Sequence, residues 1–151
     1  MPVPVIEKLE LKDYEKCSNI WNMDTFEFTE KFRKEIETGN RTVYIYKING
    51  EFVGEIAFVL EMNDSDYTIS GRRVYISRLV IKKGYRNQGI GSILIDFILD
   101  TVKSMGYTES AIGVDKDNAA ALHLYRKKGF NTVLFDGTDE YGEFYKLLKI
   151  L

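Results

Sequence analysis

A single cysteine, Cys17, is the whole thiol content of the chain, which excludes an internal disulfide and a cysteine-built metal site. It sits in a helical pattern and reads as a small buried hydrophobe. No apolar run approaches the roughly 18 residues of a membrane-spanning helix. The opening Met1-Pro2-Val3-Pro4 lacks the charged and apolar regions of a signal peptide. A reducing, cytoplasmic setting with no membrane partner is therefore the expectation. Charge of one sign is also missing. Lys and Arg number 21 against 23 Asp and Glu, a net −2, so electrostatics offers nothing toward nucleic acid. No metal is expected, and repeats, low-complexity tracts and linkers are absent. The chain does have ordinary bulk. Its 151 residues, 44% hydrophobic and 29% charged, suit one soluble globular domain over 1–151 with a real core.

The pattern of apolar positions predicts the element order β-α-α-β-β-β-α-β-α-β-β. Val3 to Leu9 reads as a short strand. Lys12 to Trp21 and Thr25 to Thr38 carry helix-spaced apolar residues, among them Phe28, Phe32 and Ile36. Thr42 to Ile48 and Phe52 to Met62 flank Asn49-Gly50, the strongest short hairpin signal. Asn63 to Gly71 is polar and is expected to be a variable or mobile loop. Arg72 to Ile81 is the next strand. Gly89 to Met105 is a long helix on Ile90, Ile93, Leu94, Phe97, Ile98, Val102 and Met105, stopped by Gly106. Ser110 to Val114, Asn118 to Lys128, Phe130 to Phe135 and Phe144 to Ile150 complete the order as strand, helix, strand, strand. Strand, helix, strand over 74–114 implies a right-handed parallel crossover. The flanking hairpins are antiparallel, so the sheet should be mixed.

Between the strand Tyr75–Ile81 and the long helix stands Arg86-Asn87-Gln88-Gly89-Ile90-Gly91. A helix start leaves backbone N–H groups unpaired and points the positive end of its dipole outward. Glycines there let an anion reach those amides. Lys82, Lys83 and Arg86 add cations, though both lysines read equally as solvated charges. The phosphate-loop pattern Gly-x-x-x-x-Gly-Lys-Ser/Thr is not present, nor is Gly-x-Gly-x-x-Gly. A nucleotide-binding regulatory domain is disfavoured, because no acidic ribose-binding residue follows a strand at the required distance.

The run does match Arg/Gln-x-x-Gly-x-Gly/Ala. Further along, Asn118-Ala119-Ala120-Ala121-Leu122-His123-Leu124-Tyr125-Arg126-Lys127-Lys128-Gly129-Phe130 matches Asn-x-x-Ala-x-x-x-Tyr-x-x-x-Gly-Phe. Together, in this order, the two motifs resemble those of the GNAT superfamily of acetyl-coenzyme A-dependent N-acetyltransferases. The resemblance is specific over residues 74–131. It implies an α/β fold, a single twisted mixed sheet of about seven strands with helices on both faces. It also implies that the coenzyme pyrophosphate lies on Arg86, Asn87, Gln88, Gly89, Ile90, Gly91 and Ser92. The main chain of Leu79, Val80 and Ile81 would face the pantetheine arm, and Asn118 would contact the coenzyme.

Acetyl transfer to an amine needs the thioester held, the amine deprotonated and the leaving thiolate protonated. An alkyl amine of pKa near 10.4 is only about 1 part in 2,500 neutral at pH 7, a deficit of roughly 4.6 kcal/mol. The resemblance gives Tyr125 the role of hydrogen-bond or proton donor to the departing sulfur. Two helical turns after Asn118, it lies on the same helix face. Full transfer from a phenol near pKa 10 to a thiol near 8.5 is uphill by about 2 kcal/mol, so partial transfer is expected. The base positions usual in the family fall near Tyr75 and at Gly113, and neither is acidic. Glu55 is the leading substitute, with Glu61 and Asp115 behind it; ordered water could serve instead. His123 sits about 200° around the helix from Tyr125 and is read as exposed. Arg126, Lys127 and Lys128 suit a helix C-terminus. Trp21, Phe26, Phe28 and Tyr44 either shape an acceptor pocket or fill the core. The partner implied is a small-molecule or peptide amine, met by a monomer or homodimer. The alternative function is a non-catalytic acyl-coenzyme A-binding or sensing module.

Overall fold

A computed structural model describes residues 3–151. The strands are β1 (Val5–Lys8), β2 (Arg41–Ile48), β3 (Glu51–Val59), β4 (Arg73–Ile81), β5 (Glu109–Asp115), β6 (Thr132–Asp139) and β7 (Gly142–Ile150). The α-helices are α1 (Thr29–Thr38), α2 (Ile90–Ser104) and α3 (Ala119–Lys127). A 3₁₀ segment, Leu11–Asn19, takes the place of the first expected helix. The strands form one seven-stranded sheet in the order β1-β2-β3-β4-β5-β7-β6. β4 and β5 are parallel, from Arg73 opposite Glu109 to Ile76 opposite Ile112. The pairs β1–β2, β5–β7 and β6–β7 are antiparallel, so the sheet is mixed as expected.

Two local departures have clear causes. Tyr14 and Cys17 in this segment and Ile20 just after it are buried, and they recur every third position. Three residues per turn lines up such a row on one side, where an α-helix would rotate it away. The next helix begins at Thr29 rather than Thr25. The Asn22 carboxamide oxygen accepts from the N–H groups of Asp24 (3.0 Å) and Thr25 (3.3 Å), an Asx-type turn that competes with helix. Thr29 Oγ1 donates to the Met23 and Phe26 carbonyls at 2.8 and 3.0 Å, closing the same turn.

The chain forms two compact units, one reaching up to Phe58 and including Arg78–Ile95, the other Val59–Ser77 with Asp96–Leu151. The core of the first unit holds Leu9, Tyr14, Cys17, Ile20, Val43, Ile45, Phe52 and Ala57, with Trp21, Phe32 and Val80 packed against it. The second buries Val74, Ile76, Ile98, Val102, Ala111, Phe130 and Leu147. Each Val, Leu, Ile or Phe side chain among them contributes about 1.5–3 kcal/mol when taken fully out of water. Among the described residues no helix is long and apolar enough to cross a membrane.

The connection over 63–71 is tied down, contrary to the expectation of a mobile loop. Lys146 Nζ reaches Asp64 (2.7 Å) and Asp66 (3.2 Å). Arg73 donates to the Ser65 and Asp66 carbonyls at 3.2 and 2.9 Å. The buried Thr68 hydroxyl accepts from the Met62 N–H at 2.9 Å. Polar composition here means internal ion pairs and hydrogen bonds.

Candidate active site

In the first unit, β4 runs into a loop whose backbone leaves the common regions of φ/ψ space. Asn87 has φ 62° and Gly89 φ 84°, left-handed conformations of the kind found in backbone turns that bind anions. α2 begins at Ile90, and its Ile93 N–H bonds to the Gly89 carbonyl at 3.1 Å. The earlier amides of the first turn have no intrahelical acceptor. Arg86 through Gly89 are exposed, with Gly91 and Ser92 half-buried.

The flanking cations divide. Lys82 is a structural tie. Its Nζ donates to Glu51 at 2.6 Å and to Asn19 Oδ1 at 3.1 Å, while Tyr85 donates to the other Glu51 oxygen at 3.0 Å. The Lys82 contact above all, then Asn19 and Tyr85, hold the Glu51 carboxyl down to about 2. Arg86 Nε folds back onto the Ile81 carbonyl at 3.0 Å. Lys83 is exposed.

Also in the first unit, Trp21, Phe26, Phe28 and Phe32 make a chain of edge and stacked contacts, with centroids 5.4 Å apart for Trp21–Phe26 and 6.3 Å for Phe28–Phe32. The Arg78 guanidinium lies 4.6 Å from the Trp21 ring centroid and 4.3 Å from that of Phe26. Arg78 adopts φ 59° within β4, a conformation a long side chain takes only where its surroundings over-determine it. Glu55 is only 4% exposed and accepts a short hydrogen bond from the Trp21 indole N–H. Burial raises its pKa, opposed by the Trp21 bond and by Arg78 and Arg41. The same burial, with Glu55 nearby, raises the Cys17 thiol, which stays protonated and inert. Of the four aromatic residues named from the sequence, Trp21, Phe26 and Tyr44 are half-buried and Phe28 is exposed at 38%.

In the second unit, Asn118 caps α3, its Oδ1 accepting from the Ala121 N–H at 3.2 Å. The other end is a Schellman motif. Phe130 N–H bonds to the Tyr125 carbonyl at 3.0 Å and Gly129 N–H to that of Arg126 at 3.1 Å. Gly129, at φ 102°, takes the left-handed position this motif requires. Phe130 is fully buried, and its ring meets Tyr125 edge-on at 6.2 Å. The Tyr-x-x-x-Gly-Phe pattern is thus a helix stop that fixes Tyr125. That tyrosine is 7% exposed, and burial raises its phenol to about 12. Among the described residues its hydroxyl makes no hydrogen bond. His123 is exposed, as expected, and so are Glu61 and Asp115.

Two residues escaped the sequence reading. Arg78 was hidden inside a strand pattern. Tyr67 lay in a loop that composition alone marks as polar. A Cβ added at Gly113 would stand 2.5 Å from the Tyr67 hydroxyl, and the Tyr67 and Tyr75 rings lie 4.4 Å apart. The two strand positions where the resemblance expects an acid therefore hold a glycine covered by one tyrosine and a second tyrosine.

The family pattern described as Acetyltransferase (GNAT) family matches residues 4–130. The chain belongs to this family. Its sheet and helices are those of the GNAT fold. It is 20% identical to a chain of the NatC complex crystallised with Gag peptide and CoA, with a TM-score of 0.77 over 98% of both chains. Curated GNAT relatives include N-alpha-acetyltransferase 30 of Schizosaccharomyces pombe, 34% identical over 54% of this chain and 52% of its own length. Streptothricin acetyltransferase of Streptomyces lavendulae is 27% identical over 71% of this chain and 56% of its own. The chain thus spans about half the length of these two relatives.

Proposed function

We propose that this chain is an acetyl-coenzyme A-dependent N-acetyltransferase. Its single domain, 1–151, transfers the acetyl group to a primary amine by direct attack in a ternary complex. The observation that carries the reading is Tyr125, a phenol buried by a Schellman-capped helix with its hydroxyl uncommitted. In the proposed reaction the amine nitrogen attacks the thioester carbonyl and the carbon–sulfur bond breaks. Tyr125 meets the departing thiolate with its O–H, and the amine proton leaves to a base. With the phenol at about 12 and a thiol near 8.5, complete transfer from Tyr125 is uphill by roughly 5 kcal/mol. Its contribution is hydrogen-bond stabilisation of the developing charge.

The coenzyme roles follow the same reading. Amides from Asn87 to Ser92 take the pyrophosphate at the start of α2, beside Arg86. The main chain of Leu79, Val80 and Ile81 takes the pantetheine arm, and Asn118 adds a contact near the thioester. Glu55 is assigned the base, a carboxyl buried beside Trp21 whose pKa burial has raised. The acceptor is a small-molecule or peptide amine; a relative named streptothricin acetyltransferase supports the first kind, and the similar NatC complex bound to Gag peptide supports the second.

The test is free-thiol release with acetyl-coenzyme A and a panel of amines. Turnover is expected with at least one acceptor. Tyr125→Phe should keep coenzyme affinity and lower the transfer rate constant by roughly one to three orders of magnitude. A Phe variant of full activity would reduce Tyr125 to a packing residue. Coenzyme binding without thiol release from any amine would favour the sensing module, which the lack of an acid at Tyr75 and Gly113 supports.

A further inference from the structure

We propose that Tyr67, in the second unit, hydrogen-bonds the acceptor amine while Glu55 remains the assigned base, that it stands over position 113, where the resemblance expects a carboxylate, and that it selects amines which lose their proton readily. The inference rests on the transferase reading above. Its geometry is local and specific. The hydroxyl stands against the main chain of Gly113, 2.5 Å from where a Cβ would be. Gly113 has no left-handed φ, so backbone conformation does not demand glycine there. What its lack of a side chain does is admit the phenol.

The phenol is held by its loop and neighbours. Its ring lies 4.4 Å from that of Tyr75, and Lys146 Nζ lies 5.2 Å from its centroid. Lys146 in turn clamps Asp64 and Asp66 on the same loop. The hydroxyl itself makes no hydrogen bond among the described residues, and the residue is half-buried. A rigidly carried, uncommitted O–H beside the parallel strand pair is suited to a ligand polar group.

Its chemistry differs from that of the acid it replaces. Burial first, then Tyr75, Asp64, Asp139 and Asp66, push the Tyr67 phenol up from its ordinary value, so it stays neutral throughout the working range. Of the carboxylates facing it, Asp64 and Asp66 are already engaged by Lys146. A neutral oxygen accepts a hydrogen bond from an uncharged amine, but offers an ammonium far less than a carboxylate does. At pH 7 about one α-amino group in eight is uncharged, against about 1 alkyl amine in 2,500. Acceptors of the first class are therefore favoured over aliphatic ammonium acceptors.

Steady-state kinetics with amino-acid amides and n-alkylamines tests this. Tyr67→Phe keeps the ring on Tyr75 and should leave the melting midpoint and the KM for acetyl-coenzyme A unchanged. It should lower kcat/KM for amino-acid amides about tenfold, the worth of one hydrogen bond. The double variant Tyr67→Ala with Gly113→Glu restores a carboxylate in the vacated space, and should shift selectivity toward n-alkylamines by at least about tenfold. An active wild type whose Tyr67→Phe variant keeps its acceptor kinetics, or loses coenzyme affinity in parallel, overturns the inference alone. So does a wild type that prefers n-alkylamines. A wild type that releases no thiol with any amine overturns the transferase reading and this inference with it.

Discussion

Glu55 shows how one side chain couples stability to chemistry. Its carboxyl lies in the first unit's core, bonded to Trp21 and close to Arg78 and Arg41. Because burial dominates, its folded-state pKa is raised from 4.5. The folded state then holds the proton more tightly than the unfolded chain. Stability from this group is present below pH 4.5 and is lost as pH rises through the raised value. Glu55→Gln should therefore flatten the fall in stability over that window, as read by thermal melts at a series of pH values. As the proposed base Glu55 must be ionised, so activity should rise over the same window. In Glu55→Gln that limb should vanish and turnover should drop roughly 10²–10⁴-fold with coenzyme binding intact. An unchanged pH–rate profile would remove Glu55 from the mechanism and leave it as the anchor of Trp21.

At the scale of elements, α3 is set by its two ends. Asn118 satisfies a first-turn donor, and the Gly129–Phe130 stop turns the chain so that Phe130 packs on Tyr125. Gly129→Ala should be costly on two counts. A left-handed φ of 102° disfavours any Cβ, and that Cβ would stand 2.5 Å from Lys149 Nζ. The lysine tip can move, so backbone strain decides, at roughly 1–2 kcal/mol. Chemical denaturation should show that loss with an unchanged slope. Two neighbouring elements depart from their local pattern. Three buried positions at a spacing of three are compatible with an α-helix over a run this short, and packing of Tyr14, Cys17 and Ile20 on one side decides for the 3₁₀ form. The late start of α1 depends on the Asn22 side chain, whose turn competes with an equally plausible helix.

For the whole molecule, coenzyme binding should appear as stability. A ligand that binds only the folded chain adds about 2.7 kcal/mol at a hundredfold excess over its dissociation constant. Acetyl-coenzyme A should raise the melting temperature accordingly. Gly89→Val, which puts a β-branched residue at φ 84° and closes the loop to an anion, should abolish the shift. The variant's own melt shows whether it is folded. If it is folded and still shifts normally, the pyrophosphate lies elsewhere.

Element order, the mixed sheet and the two motif segments could be read from the chain itself, because periodicity, Asn-Gly and helix-stop glycines act over a few residues. Cys17 as a buried thiol and His123 as an exposed imidazole were legible for the same reason. Three things were decided only by tertiary packing. Lys82 became a tie to Glu51 and Asn19, residues distant in sequence. Arg78 found its aromatic neighbours Trp21 and Phe26. Tyr67 came to rest over Gly113 because a pinned loop carries it there. Each depends on long-range contacts, which local pattern does not encode. The nature of a helix start or stop is a matter of neighbouring residues, whereas the partner of a side chain is a matter of the whole fold.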